Sequence, residues 1–151
     1  VVSLHVETDV DAPVDVVYGY VSDWANAPRF VSGLKAWTQV GEGPVVVGTR
    51  FVAEIGAAMG TVSGELEIVR LDPGVAIGWE GRSGPNQTGV WTFTALDDGR
   101  TRVRFEISYT PRLTGVLGRA VNKTVESVVQ TTLTQSGKRL REQVEQLAGP
   151  A

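Results

Sequence analysis

The stretch from Leu113 to Leu147 contains no proline and carries apolar residues at helical spacing for most of its length. Leu117, Val121, Thr124, Val125, Val128 and Thr132 form a wide stripe, continued after a polar gap by Leu140, Val144 and Leu147. Gly137 lies in that gap, either at a bend or as a tolerated glycine near the surface. A helix of this length needs a broad surface to lie on. Everything between Leu34 and Tyr109 reads as short strands and turns, so the surface on offer is a curved antiparallel sheet. A sheet wrapped around a helix leaves an internal hollow, and function is expected there.

The strands follow from alternation. Val2, Leu4, Val6, Thr8 and Val10 alternate with Ser3, His5, Glu7 and Asp9, which gives a half-buried first strand with an acidic outer face. Pro13 suits the start of a helix whose Val14, Val17, Tyr18 and Val21 share a face. Asp23 is placed to cap a second short helix from Trp24 to Phe30, limited by Pro28. Strands are then expected at 34–40, 49–55, 62–68, 75–79, 91–95 and 103–109, with turns at Gly41 to Gly48, Gly56 to Gly60, Asp72-Pro73-Gly74 and Asp97-Asp98-Gly99. One strand, two short helices, about six more strands and a closing long helix make an α+β fold. There is no repeat, low-complexity tract or linker, so residues 1–151 are expected to form a single domain.

The totals exclude several classes. No apolar run approaches the ~20 residues that cross a bilayer, so no stable membrane insertion is expected. Val1 leads into a strand pattern without a basic segment, so no signal peptide is expected. Cysteine is absent, which removes disulfides, thiol nucleophiles and thiolate metal sites and fits a cytoplasmic protein. A net charge of −3 and a pI near 5.2 argue against nucleic acid as a partner. Gly41-Glu42-Gly43 lacks the third glycine and the following helix of a dinucleotide loop. The sole histidine, His5, falls on the acidic outer face, so a Ser-His-Asp arrangement is rejected.

The order of short motifs resembles the START/Bet v1-like superfamily with the helix-grip fold, in particular its bacterial polyketide cyclase/dehydratase and lipid-transport branch. The residues that carry the resemblance are Asp11-Ala12-Pro13 with Val16-Val17-Tyr18, Asp23-Trp24 with Pro28, and Val47-Gly48-Thr49-Arg50-Phe51. Further along they are Leu71-Asp72-Pro73, Ser83-Gly84-Pro85, Gly89-Val90-Trp91-Thr92-Phe93, Asp98-Gly99-Arg100-Thr101-Arg102-Val103 and the closing helix. The resemblance implies a curved sheet of about seven strands around the last helix, with a deep cavity between them. It implies a small apolar ligand: polyketide-like, aromatic or isoprenoid. Three roles follow: a cofactor-independent cyclase, dehydratase or isomerase of secondary metabolism; a lipid or quinone carrier or sensor; or a co-chaperone-like interaction module. A monomer or homodimer is expected, with no cofactor and no metal.

The aromatic set Trp24, Trp37, Phe51, Trp79, Trp91, Phe93 and Phe105, joined by Asn122 and Val125 of the long helix, is the expected ligand wall. Arg50, Glu54, Arg82 and Tyr109 are the expected catalytic groups. Family cyclases use a cavity arginine and a tyrosine to polarise carbonyls. The arginine position falls on or near Val52 here, and Arg50 in the same strand phase is the nearest substitute, its alternative being a solvent-facing strand residue. Glu54 and Glu65 are strand carboxylates that would gain a raised pKa if they faced inward unpaired. Asp23 serves as a helix cap or, if buried beside Trp24, a general base.

Overall fold

A computed structural model describes residues 1–57, 60–83, 86–111 and 115–148. Strand β1 (Val2–Val10) is followed by helix α1 (Val14–Ser22), a 3-10 turn (Trp24–Asn26) and a four-residue helix α2 (Ala27–Phe30). Strands β2 (Leu34–Gln39), β3 (Arg50–Ala57), β4 (Gly60–Asp72), β5 (Ala76–Gly81), β6 (Gln87–Ala95) and β7 (Thr101–Tyr109) follow, and helix α3 (Gly115–Ala148) closes the chain. The strands form one antiparallel sheet in the order β1-β7-β6-β5-β4-β3-β2. This is the helix-grip fold. Gly84 and Pro85 of the Ser83-Gly84-Pro85 motif, Ala58 and Met59 of the Gly56 to Gly60 turn, and Leu113 at the expected helix start lie outside the described residues.

Local chemistry accounts for the path. At Asp72-Pro73-Gly74 the Val75 amide donates to the Asp72 carbonyl at 2.9 Å, and Gly74 takes a φ of +73° that a side chain would oppose. Consecutive strands joined by short turns pair as hairpins, and β1 closes onto β7 because their alternating faces match: Leu4 opposite Ile107 and Val6 opposite Phe105 within, Glu7 opposite Arg104 and Asp9 opposite Arg102 outside. Asp23 does not cap the 3-10 turn through its side chain. Its carbonyl accepts the Asn26 amide instead, at 2.9 Å.

Period two sorts the faces. The inner face carries Val10, Val103, Phe105, Phe93, Trp91, Ile77, Ile68, Leu66 and Phe51, all buried. The outer face carries cross-strand ion pairs between exposed groups, including Arg102–Asp9 at 2.9 Å and Arg104–Glu7 at 3.1 Å. Such pairs fix little stability each, but where Glu67 and Glu80 stand opposite one another on β4 and β5, Arg82 pairs with both.

Helix α3 departs from the stripe read in its sequence. Leu133, Ser136, Leu140 and Val144 are fully buried, whereas Leu117 is 80 % and Val128 60 % exposed, as are Val121 and Val125 in lesser degree. At 3.6 residues per turn, the 117/121/125/128 stripe is rotated by roughly a third of a turn from the 133/140/144 face. The helix is held on β1 by its C-terminal half, through the polar gap rather than around it. Gly137 packs there against Val6. Leu147, expected to continue the buried face, is exposed. Among the described residues no helix is long and apolar enough to cross a membrane.

Candidate functional site

The inner face of β2 to β7 turns away from α3 on the side opposite β1, and a cavity of about 170 Å³ lies in the gap. Its sheet wall is Trp37, Ala53, Leu66, Ile77, Trp79, Trp91, Phe105 and Ile107. The α1–α2 segment roofs it with Val21, Trp24, Ala27, Phe30 and Val31. Ile55 and Val62 stand opposite one another on β3 and β4 and also line it, yet they are 41 % and 49 % exposed. The cavity therefore opens to solvent along that hairpin. An apolar cavity of ~150 Å³ is large enough to take up a benzene ring and stay dry.

Aromatic packing stiffens the wall. Trp91 stacks on Phe105 with centroids 3.9 Å apart, and Phe30 meets Trp91 edge-on at 5.5 Å. Phe51 stacks under Trp37 at 4.7 Å and touches Trp24 at 5.2 Å. Trp79 lies across Gly89, its partner on β6, whose missing side chain makes room for the indole. Of the expected aromatic wall, Trp24, Trp37, Trp79, Trp91 and Phe105 line the cavity. Phe51 and Phe93 are fully buried behind it, where Phe93 packs edge-on against Tyr18.

The polar groups expected in the cavity are elsewhere. Arg50 and Glu54 occupy the outward phase of β3, because Phe51, Ala53 and Ile55 take the inward one. Arg50 pairs with Glu65 at 3.0 Å and Glu67 at 3.4 Å, and Glu54 is exposed. Arg82, just past β5, pairs with Glu67 at 3.0 Å and Glu80 at 3.2 Å on the same outer surface. Its hydrogen bond holds the Glu67 carboxyl below its ordinary pKa and raises that of the guanidinium. Arg50 and Arg82 balance surface charge, Glu54 is exposed on the same outward face, and the three do not converge on a ligand. Asn122 and Val125 sit on the half of α3 that lies beyond the cavity wall. Tyr109 ends β7 outside the wall. Its hydroxyl is buried without a hydrogen-bond partner among the described residues, and burial, with the nearby Glu126 carboxylate second, raises its pKa.

Among the described residues, the hydroxyl and amide side chains on the wall are Ser32, Gln87 and Thr132, none of which was expected there. Ser32 is latched to α3: its amide donates to Ser136 Oγ at 2.9 Å and its hydroxyl to Gln135 Oε1 at 2.8 Å. Thr132 is visible in the sequence only as a hydroxyl within a valine-rich stripe. Ser32 and Gln87 carry no sequence signal, since both depend on where loops and strand ends close. The Trp37 indole Nε1 is buried without a partner among the described residues, a desolvation cost left standing beside the cavity. No cluster of three or more metal-ligating side chains occurs among the described residues.

The model of the family described as polyketide cyclase / dehydrase and lipid transport matches residues 1–145. The chain belongs to this family. Solved structures share its fold at low sequence identity. A protein of Thermus thermophilus superposes with a TM-score of 0.81 at 20% identity, over 99% of this chain and 100% of its own. The Zhui aromatase/cyclase of a Streptomyces species gives 0.79 at 20% identity, over 99% and 100%. A START superfamily protein of Mycobacterium smegmatis gives 0.76 at 14% identity, over 96% and 98%. No curated protein matches the sequence. At these identities the structural likeness is one of fold, and the roles the family description names, cyclisation or dehydration on one side and lipid transport on the other, make different demands on the same cavity.

Proposed function

We propose that this family member encloses a small, ring-bearing apolar molecule in the sheet–helix cavity and carries it, without a cofactor, in the cytoplasm. The observation that carries the reading is the wall itself: tryptophan, phenylalanine and aliphatic side chains, with Ser32, Gln87 and Thr132 as its polar members. Proton transfer in a cyclisation needs a group whose pKa lies near the working pH, and hydroxyls and an amide do not supply one. A carrier needs burial and shape, which this wall provides.

The second reading is a cofactor-independent cyclase, dehydratase or isomerase. The shared fold with an aromatase/cyclase favours it, and folding a flexible chain against the aromatic wall would supply proximity rather than acid–base help. An interaction module calls for a filled core, and the open cavity argues against that.

Native mass spectrometry of protein purified from its own host, followed by denaturing extraction, tests the carrier reading. A bound aromatic, isoprenoid or quinone-like molecule released chemically unchanged on incubation is the expected result. A bound polyketide chain that is cyclised on incubation would establish the enzyme instead. Protein that carries nothing and ignores a panel of apolar ligands in thermal denaturation would overturn both.

A further inference from the structure

Hydroxyl side chains inside helices ordinarily close back on the carbonyl one turn earlier. Along α3, Thr124 donates to the Ala120 carbonyl at 3.2 Å, Thr131 to Ser127 at 3.0 Å, Thr134 to Gln130 at 3.0 Å and Ser136 to Thr132 at 2.7 Å. Among the described residues, Ser127 and Thr132 of the same segment make no such bond. Ser127 is exposed, where solvent can reach its hydroxyl, whereas Thr132 is half-buried and stands on the cavity wall. It is the one described α3 side chain in that wall.

Its position is fixed from both sides. Ser136 Oγ accepts the Ser32 amide and donates to the Thr132 carbonyl, so the α2–β2 connection is tied to α3 beside the cavity. The backbone carbonyl of Thr132 is thereby engaged, and Oγ1 is the polar atom of its side chain that a ligand on this wall would meet. A hydroxyl donates one hydrogen bond and accepts others, so it serves a phenolic O–H and a ketone oxygen equally.

We propose that Thr132 is the specificity-determining polar contact of this cavity, selecting an apolar ring compound that bears a phenolic or ketone oxygen over a hydrocarbon of the same shape. The proposal rests on the cavity being a ligand site. A hydroxyl facing apolar walls is left short of a hydrogen bond by a hydrocarbon and regains it from an oxygenated ring, and sites built around such a contact discriminate against analogues lacking it.

The test uses two isosteric probes, 1-naphthol and 1-methylnaphthalene, with dissociation constants measured by calorimetry. Wild type is expected to prefer 1-naphthol by about 3- to 10-fold, the range of one neutral hydrogen bond. Thr132→Val, which keeps shape and β-branching, is expected to weaken 1-naphthol alone and bring the ratio near one. Thr132→Ser is expected to keep the preference. A preference that survives Thr132→Val, or an equal loss for both probes, overturns the assignment while leaving the cavity reading standing. If neither probe binds wild type, the cavity reading fails and the assignment with it.

Discussion

Gly89 faces the Trp79 indole across the β5–β6 ladder, and a Cβ built on it would overlap the six-membered ring. The glycine is therefore part of the cavity: without it Trp79 cannot lie flat on the wall. Gly89→Ala is expected to cost about 1–3 kcal/mol, the usual penalty for overpacking, and to swing the indole off the wall. The cost should vanish in the Gly89→Ala/Trp79→Leu double variant, because the added methyl then has nothing to displace. Thermal or urea denaturation of the two single variants and the double variant checks this coupling. Additive losses would mean that the two residues do not meet. The same scale explains the outward glutamates and arginines. Arg50 with Glu65, Arg82 with Glu67 and Arg102 with Asp9 pair across neighbouring strands, so burying any of these would break a pair and leave its partner uncompensated.

At the scale of elements, α3 is gripped where its sequence is least apolar. Ser136 is fully buried because both its hydrogen-bonding capacities are met, and Gly137 faces β1 with a built Cβ 3.5 Å from Val6 Cγ2, an ordinary contact distance. Gly137→Ala should thus fit and remove the helix penalty of glycine. It is expected to raise stability by up to ~1 kcal/mol, read as a higher melting temperature; a fall would mean that the helix sits closer to β1 than this packing allows.

This is also where the sequence misleads. The strands were legible because alternation over β1, β3 and β7 has period two, so face and register follow together. The rotational phase of α3 was not. Leu117, Val121 and Val128 form the more convincing stripe yet stay exposed, while burial falls on Leu140 and Val144, as expected, on Leu133, and on a serine and a glycine whose fitness depends on partners elsewhere in the chain, Ser32 and Val6. Sequence hydropathy does not register a hydrogen bond made across about a hundred positions. The site suffered in the same way. The aromatic wall could be read from residue type, but which polar groups reach it depended on strand phase at Arg50 and Glu54 and on loop closure at Ser32.

Over the whole molecule, charge and burial set opposite limits on pH. Arg102 holds Asp9, Arg82 holds Glu67 and Arg100 holds Asp98 below their ordinary values, so each binds fewer protons folded than unfolded. Stability from these groups is present above the unfolded pKa and lost as pH falls through the folded one. Burial raises Tyr18, Tyr20 and Tyr109, and stability from those is present below the unfolded value near 10 and lost as pH rises through the folded values. The melting temperature is expected to be flat from about pH 5 to about pH 9 and to fall on either side. Salt should flatten the acid limb, whose pairs are exposed and screened, and leave the alkaline limb, which comes from burial, unchanged. An acid limb indifferent to salt would contradict the ion-pair account.

The central claim, that the gap between sheet and helix is a ligand site, is tested most directly by filling it. Ala53 lies on the cavity wall, 5 % exposed, with Trp37 and Gly64 as its strand neighbours. Calorimetric titration of 1-naphthol into wild type and Ala53→Leu, each checked for cooperative unfolding, makes the comparison. The account predicts binding to wild type and its loss, by tenfold or more (about 1.4 kcal/mol or more), in a variant that still unfolds cooperatively. Ala53→Leu that binds 1-naphthol as wild type does would place the ligand somewhere else on the molecule.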